Sequence, residues 1–254
     1  MQEKKIIQYN DNDDNHDSFI DSIPSIEKIK VLNEHDNEKT IIINNKIIIR
    51  LNKNNEIIEY INPIVEEIKD NFLTSVHSIK NIELENVKKI GNVFCDESNS
   101  LQTISLPNVE EIGSYCMGDQ THIKSINLPK VKHIGVGFLS ACDDLETIDM
   151  PNNETIGNYS LMYSMYLKTI SMPAVQTIGK DVLRECEKIR VIDMPNVTSI
   201  GDNLAPNSSY LEVFNTPKLE TIGNNSILVN KNCIIECNIS QKLKEELEIT
   251  NIQI

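Results

Sequence analysis

The sequence predicts an α/β solenoid, in which short strands alternate with short helical or 3-10 turns in a coil that is repeated in series. The main observation is an Ile-Gly pair that recurs seven times, each copy 22 residues after the last. A constant spacing indicates one structural unit repeated along the chain. The pairs are Ile90-Gly91, Ile112-Gly113, Ile134-Gly135, Ile156-Gly157, Ile178-Gly179, Ile200-Gly201 and Ile222-Gly223.

Each unit begins with a predicted strand. In the segment 101–106 the apolar residues follow the pattern L-x-x-I-x-L, which ends in the period-two alternation of a strand that points side chains into the coil interior. The same pattern recurs in every unit as three apolar columns. The first holds Ile79, Leu101, Ile123, Leu145, Leu167, Ile189 and Leu211, the second Ile82, Ile104, Ile126, Ile148, Ile170 and Ile192, and the third Leu84, Leu106, Leu128, Met150, Met172 and Met194.

The rest of the unit turns the chain and returns it. Pro follows the strand, as at Pro107 and Pro129, where it lacks an N–H and stops the ladder. Gly at a fixed place predicts either a positive φ or a backbone packed closely against the neighbouring coil. The segment after it, such as 114–117, is predicted to form one helical or 3-10 turn, because about eight residues leave no room for more.

The pattern C-x-x-L-x-x-I-x-L-P-x-V-x-x-I-G resembles the BspA-like class of leucine-rich repeats. Residues 142–151 and 186–195 carry its Cys and its strand together, and the likeness covers about residues 57–229. The resemblance implies a right-handed curved leucine-rich repeat solenoid of about eight coils, with a parallel β-sheet on the concave face and the turns on the convex side. It also implies a non-enzymatic protein, since members are typically surface or secreted proteins that bind other proteins or host components.

The segments outside the repeats divide into a tail and two caps. Residues 1–17 are dominated by Asp and Asn and are predicted to be a disordered acidic tail. Residues 18–56 are predicted to form an N-terminal cap, with a β-hairpin that turns at Asn44-Asn45. Residues 230–254 are predicted to form a C-terminal cap whose short helix begins at Ser240.

Charge and targeting patterns limit the partners. The net charge is −14, and the Lys and Arg residues form no basic stripe, so nucleic acid and anionic membranes are poor candidates. The N-terminus shows no signal peptide, and no apolar run reaches the roughly 18 residues of a membrane span. We therefore expect a cytoplasmic monomer whose partner is another protein. The family resemblance leaves surface association open.

The cysteines and histidines point to no catalytic, cofactor or metal site. Cys142 and Cys186 share a column two coils apart, about 9 to 10 Å at the spacing of stacked strands, beyond the roughly 7 Å limit for a disulfide. A bridge between Cys95 and Cys116 stays open. An alternative in which the protein is an enzyme with Cys95 or Cys116 as its nucleophile also stays open. Cys233 and Cys237 lack the further ligands of a zinc site, and the five histidines are isolated.

Two surfaces are candidate partner sites. The first, suggested by the resemblance, is the concave sheet, whose outward columns are polar and contain no aromatic residue. We single out Thr103, Thr147, Thr169, Asp149 and Asp193 there. The second is the coil that contains Met162, Tyr163, Met165 and Tyr166, because these residues stand where another coil has Asp96, Glu97, Asn99 and Ser100.

An exposed cluster of Tyr and Met is a signal for a protein partner. In the alternative interpretation, this coil has a shifted return segment that buries these side chains. The function predicted from the sequence is a non-enzymatic scaffold for protein–protein interaction. The alternative is a surface-associated or exported adhesin or effector that binds a host protein.

Overall fold

The protein is a β-solenoid of about seven turns with parallel sheets. The computed structural model describes residues 29–33, 38–44, 46–227 and 234–236. Twenty strands lie in these ranges, and no helix does. The predicted acidic tail at 1–17, the predicted helix near the C-terminus, Cys233 and Cys237 lie outside the described residues.

The predicted strands are present, one in each coil, and we call the surface they form the strand face. They are β6 (Asn81–Glu83), β8 (Thr103–Ser105), β10 (Ser125–Asn127), β12 (Thr147–Asp149), β14 (Thr169–Ser171), β16 (Val191–Asp193), β18 (Val213–Asn215) and β20 (Ile234–Glu236). Six of these strands, β10, β12, β14, β16, β18 and β20, pair in parallel as one sheet, in which Ile126 lies beside Ile148 of the next coil. The central Ile of β6, β10, β12, β14 and β16 is buried, as the sequence predicts.

A second parallel sheet, which the sequence analysis missed, contains the Ile of every Ile-Gly pair. Its eight strands are β5 (Glu67–Ile68), β7 (Lys89–Ile90), β9 (Glu111–Ile112), β11 (His133–Ile134), β13 (Thr155–Ile156), β15 (Thr177–Ile178), β17 (Ser199–Ile200) and β19 (Thr221–Ile222). Each strand has only two residues, which is too short for a period-two pattern to show. The first residue faces outward and the Ile points into the core, except that Ile222 at the last strand is only half-buried.

The N-terminal segment extends the strand face with antiparallel strands. These are β1 (Ile29–Asn33), β2 (Lys39–Ile43), β3 (Ile47–Leu51) and β4 (Ile57–Ile61), joined in the order β1-β2-β3-β4-β6-β8. The predicted hairpin is therefore present as β2 and β3. Ile41, Ile43, Ile47 and Ile49 are buried in the same core as the repeats.

The third side of the coil, which we call the turn face, is not helical. Here the prediction of helical or 3-10 turns was wrong. In place of a helix, every second residue has a positive φ, as at Val93, Cys95 and Glu97 (59°, 53° and 55°). Nearly all of these residues carry a side chain, although glycine adopts this conformation most readily. The local sequence of each turn therefore gave no signal for this conformation.

Hydrogen bonds between coils hold the turn face in this conformation. The N–H of Val93 donates forward to the carbonyl of Ser114 at 2.8 Å, and the N–H of Cys95 donates back to the carbonyl of Phe72 at 2.9 Å. The same pair of bonds recurs in the following coils, for example from Tyr115 to Val136 and from Met117 to Phe94. A helix would satisfy these groups within one coil, whereas this arrangement uses them to join neighbouring coils.

The repeated glycines allow close approach of neighbouring coils. No glycine of the seven Ile-Gly pairs has a positive φ. A Cβ added to Gly135 would lie 2.6 Å from the carbonyl carbon of Gly113 and 2.7 Å from the backbone nitrogen of Ser114. Of the two explanations that the sequence offers, close packing is therefore the correct one. Lys69 occupies this column in the coil of β5, which is the edge strand of its sheet.

Asn153 is a buried polar residue in a column that other coils fill with Val or Leu. Its side chain is fully buried, and its amide donates to the carbonyls of Lys132 and Thr155, but its Oδ1 has no partner. An unsatisfied buried acceptor costs about 1 to 3 kcal/mol. We expect Asn153→Val to raise the free energy of unfolding by about 1 kcal/mol, measured by urea denaturation. A loss of stability would show that the two amide hydrogen bonds outweigh the unpaired oxygen.

Candidate interaction surface

Cys142 and Cys186 belong to a column of side chains that donate to carbonyl groups of the preceding coil. Each donor bonds the carbonyl oxygen of a positive-φ residue 25 positions earlier. The pairs are Ser98 Oγ to Leu73 at 2.7 Å, Gln120 Nε2 to Cys95 at 2.8 Å, Cys142 Sγ to Met117 at 3.3 Å, Ser164 Oγ to Leu139 at 3.3 Å and Cys186 Sγ to Leu161 at 3.0 Å. The repeat therefore places a small or amide donor here to satisfy a buried acceptor.

The four described cysteines are free thiols in the core. The bridge between Cys95 and Cys116 that the sequence left open is therefore not formed. Burial raises the pKa of Cys95 and Cys116, and also of Cys142 and Cys186, to about 12. A thiol nucleophile needs a lowered pKa and access to substrate, and neither Cys95 nor Cys116 has them.

We expect the four buried thiols to react with a disulfide reagent at pH 8 about a thousandfold more slowly than an exposed cysteine, because almost none is ionised. The measurement uses native protein carrying Cys233→Ser and Cys237→Ser, which removes the two cysteines outside the described residues. Unfolding in urea should release all four thiols. Fast native labelling of Cys95 or Cys116 would contradict this assignment and restore the nucleophile hypothesis.

The five strand-face candidates divide into two groups. Thr103 donates to Asn81 Oδ1 at 2.6 Å, and Asp193 accepts from Ser171 at 3.1 Å and from Asn215 at 2.7 Å, so both side chains take part in bonds between coils. Thr147, Asp149 and Thr169 are exposed, and no side chain in the described ranges bonds them. The structure thus leaves only the second group open to a partner, and their binding role stays a prediction.

The aromatic cluster is exposed on the turn face. Tyr163, Met165 and Tyr166 are 39, 44 and 47% exposed, and Met162 is half-buried beside them. We call these four residues the aromatic patch. The alternative in which a shifted return segment buries them was wrong, because the coil keeps its register. Ser164 and Leu167 of the same segment are the residues that point inward.

A cation already lies on one ring of the aromatic patch. Lys188 Nζ lies 3.7 Å from the centroid of the Tyr166 ring, while Tyr163 shows no such contact within the described part of the chain. Such a contact is favourable because the ring face carries negative electrostatic potential. Lys188 of the following coil therefore orients the Tyr166 ring, whereas the neighbouring side chains of Tyr163 and Met165 are exposed to solvent.

Acidic side chains, which the sequence analysis did not single out as a group, lie beside the patch on the three preceding coils. We call them the acidic strip: Asp96, Glu97, Asp119, Asp143 and Asp144. Burial raises the pKa of Asp96, and repulsion from Asp119 and Glu97 adds to the effect. Burial and repulsion from Glu97 and Asp143 raise the pKa of Asp119 in the same way. The 22-residue register would have revealed the strip had it been applied to charged residues as well as to apolar ones.

A shallow groove of about 870 Å³ follows the second sheet and is formed where the glycines leave space. Its outward residues alternate in charge, and Lys89 Nζ lies 3.5 Å from Glu111 Oε2 of the next coil. The charges therefore neutralise one another along the groove. Nothing in its lining favours a particular ligand.

Metal-binding groups and membrane-spanning helices are both absent from the part of the chain that the structure describes. It contains no group of three His, Cys, Asp or Glu side chains that could hold a metal ion. It contains no helix with the length and apolarity to cross a membrane.

The repeat geometry agrees with a comparison against protein families. The model of the BspA type leucine-rich repeat region matches residues 51–168 and 132–249, in six copies. The chain belongs to this BspA-type leucine-rich repeat family. The resemblance seen in the sequence is therefore confirmed. Members of the family are typically non-enzymatic.

Solved structures share the fold of this BspA-type protein. A leucine-rich repeat protein of T. pallidum matches with a TM-score of 0.50 at 17% identity, over 90% of this chain and 95% of that one. A leucine-rich repeat protein of Bacteroides ovatus matches with a TM-score of 0.46 at 16% identity, over 88% of this chain and 69% of that one. At 17% identity, the likeness to the T. pallidum protein concerns the fold alone. A search among curated proteins found no match.

Proposed function

We propose that this BspA-type protein is a non-enzymatic scaffold that binds another protein through the aromatic patch. The supporting observation is the exposure of Tyr163, Met165 and Tyr166 in a coil where the core columns are kept. Side chains that the fold does not need for packing are free to contact a partner, and aromatic and Met residues are enriched in protein interfaces. The strand-face residues Thr147, Asp149 and Thr169 form a second, polar candidate surface.

The aromatic patch is favoured over the strand face because of the side chains it offers. Hot spots of protein interfaces are rich in Tyr and depleted in Thr and Ser. The strand-face columns contain Thr, Ser, Asn and Asp, and two of the five candidates are already bonded to neighbouring coils. The strand face is therefore better suited to orienting a partner than to anchoring it.

We expect the double change Tyr163→Ser and Tyr166→Ser to weaken partner capture at least tenfold, since one buried interface Tyr contributes about 2 kcal/mol. The free energy of unfolding should change by less than about 1 kcal/mol, the cost of losing the contact with Lys188. Capture from an extract of the source cell and thermal denaturation provide the two measurements.

The matched control removes two exposed tyrosines elsewhere, by Tyr115→Ser and Tyr210→Ser. Tyr115 and Tyr210 are 54 and 60% exposed, so the control loses the same chemistry without touching the patch. Equal loss of capture in both variants would contradict a specific site. A large fall in stability of the Tyr163 and Tyr166 variant would place these rings in the core.

We further propose a cytoplasmic, monomeric protein. The four free buried thiols support a reducing compartment, where disulfides are rare. Fractionation of the source cell distinguishes this location from a surface or exported one, in which the partner would be a host protein. Light scattering of the purified chain measures its mass in solution.

A further inference from the structure

The aromatic patch and the acidic strip form one continuous surface. Backbone hydrogen bonds join the coils at these positions, from Glu97 N–H to the Gly118 carbonyl at 3.2 Å and from Asp119 N–H to the Ser140 carbonyl at 2.8 Å. A third bond joins Ala141 N–H to the carbonyl of Met162 at 2.7 Å. Asp119 therefore lies two coils from Tyr163, about 10 Å at the spacing of stacked strands.

The strip carries negative charge that the described part of the protein does not neutralise. No Lys or Arg of the described ranges forms an ion pair with Asp96, Glu97, Asp119, Asp143 or Asp144. Three of the five, Glu97, Asp119 and Asp143, are exposed. Like charges held this close repel one another, so cations from outside would bind with a gain in free energy.

On the opposite side of the patch, the cations Arg184 and Lys188 already have partners. Arg184 lies 3.3 Å from Asp181 and 3.7 Å from Glu185, and Lys188 lies on the Tyr166 ring. Three acids, Asp181, Glu185 and Glu187, accompany these two cations on that coil. The acids of the strip differ because they have no Lys or Arg partner in the described ranges, so a basic partner gains most over the strip.

We propose that the surface binds a basic, extended segment of a partner protein, with an apolar residue on Tyr163 and Met165 and Lys or Arg side chains over the acidic strip. This inference rests on the proposed function and specifies the partner's chemistry. The distance from Tyr163 to Glu97 is three coils, about 14 Å, which an extended chain covers in four to five residues at about 3.3 Å each. The segment should therefore carry its positive charges within about five residues of its apolar anchor.

The test uses a phage library of random 12-residue peptides, selected on the full-length protein and counter-selected on the Tyr163→Ser and Tyr166→Ser variant. We expect the enriched peptides to combine an apolar residue with two or more Lys or Arg nearby. Enrichment of neutral or acidic peptides would overturn the proposal, and so would the absence of enrichment over the variant.

Charge removal then tests the strip directly. The triple change Asp119→Asn, Asp143→Asn and Asp144→Asn should weaken an enriched synthetic peptide about tenfold and reduce the salt dependence of binding. The control Glu83→Gln, Glu85→Gln and Glu110→Gln removes the same net charge from other faces and should change affinity less than twofold. Equal losses would show general attraction to an acidic protein and overturn the proposal.

The outcome is separable from that of the proposed function. If partner capture depends on Tyr163 and Tyr166 but the selected peptides are not basic, the scaffold function stands and the basic segment is excluded. If capture is unaffected by the tyrosine changes, the proposed function itself fails.

Discussion

Replacing Gly135 with Ala is expected to lower the free energy of unfolding by about 2 to 3 kcal/mol, the cost of forcing extra atoms into a packed interior. The added Cβ would lie 2.6 Å from the carbonyl carbon of Gly113, which is backbone and cannot rotate away as a side chain can. The two coils must therefore separate, which stretches the hydrogen bond from Gly135 N–H to the Ile112 carbonyl, now 2.9 Å. Urea denaturation followed by circular dichroism measures the loss.

Lys69→Ala is the matched control, because Lys69 occupies the same column in the coil of the edge strand β5. Its side chain is exposed and, among the described residues, forms an ion pair with Glu67 alone, at 3.2 Å, so the change should cost less than about 1 kcal/mol. Similar losses at positions 69 and 135 would contradict the explanation. A small loss at Gly135 would mean that neighbouring coils can move apart without breaking their ladder.

Deleting the whole unit 158–179 is expected to leave a protein that folds, whereas deleting the half unit 158–168 is expected to prevent folding. The whole deletion joins Gly157 to Lys180, which stands in the column of Asn158, so every later side chain keeps its place. The half deletion shifts all later columns by 11 positions and places apolar residues on the surface. Stability of a repeat protein depends on contacts between neighbouring units, which only the first deletion preserves.

Size-exclusion chromatography and urea denaturation distinguish the two deletions. The whole-unit variant should elute as a compact species and unfold cooperatively. Its free energy of unfolding should be lower by the contribution of one interface between coils. The half-unit variant should aggregate or show the spectrum of an unfolded chain. A cooperatively folded half-unit variant would contradict the assignment of columns to faces.

The 22-residue period and the apolar columns predicted well which strand-face residues are buried. The residues of the first apolar column, such as Ile79 and Leu101, are fully buried, because a fixed spacing of 22 places equivalent side chains at equivalent depth. In the second column Ile104 is an exception, since it is only half-buried beside the point where the sheet ending in β8 gives way to the one starting at β10. Such a break depends on pairing between strands and leaves no mark in the repeat.

The turn face could not be predicted from local sequence. Its positive-φ residues include Val93 and Leu139, which rarely adopt this conformation alone. Bonds to the coils on either side impose it, so the information lies 21 to 25 residues away. A signal did exist in the column of Ser98, Gln120, Cys142 and Ser164, whose shared property is a side-chain donor.

The candidate surface was located by the same comparison of columns. Tyr163, Met165 and Tyr166 differ from their counterparts in other coils, and this difference predicts an exposed cluster correctly. The acidic strip was harder to recognise, because each acid alone resembles an ordinary surface residue. The 22-residue register places Glu97, Asp119 and Tyr163 in one column, and hydrogen bonds between the coils align these positions in the structure.

Lys69 occupies the glycine column at the edge of the second sheet. A glycine in this column lets the backbone of the preceding coil approach, and any side chain there blocks it. Consecutive glycines at this position therefore count the coils that have another stacked before them. Seven glycines and one lysine occupy this column in the eight strands of the second sheet, and the lysine stands in the coil of the edge strand β5. The N-terminal edge of this sheet is thus encoded by a single side chain, against which a preceding strand could not pack.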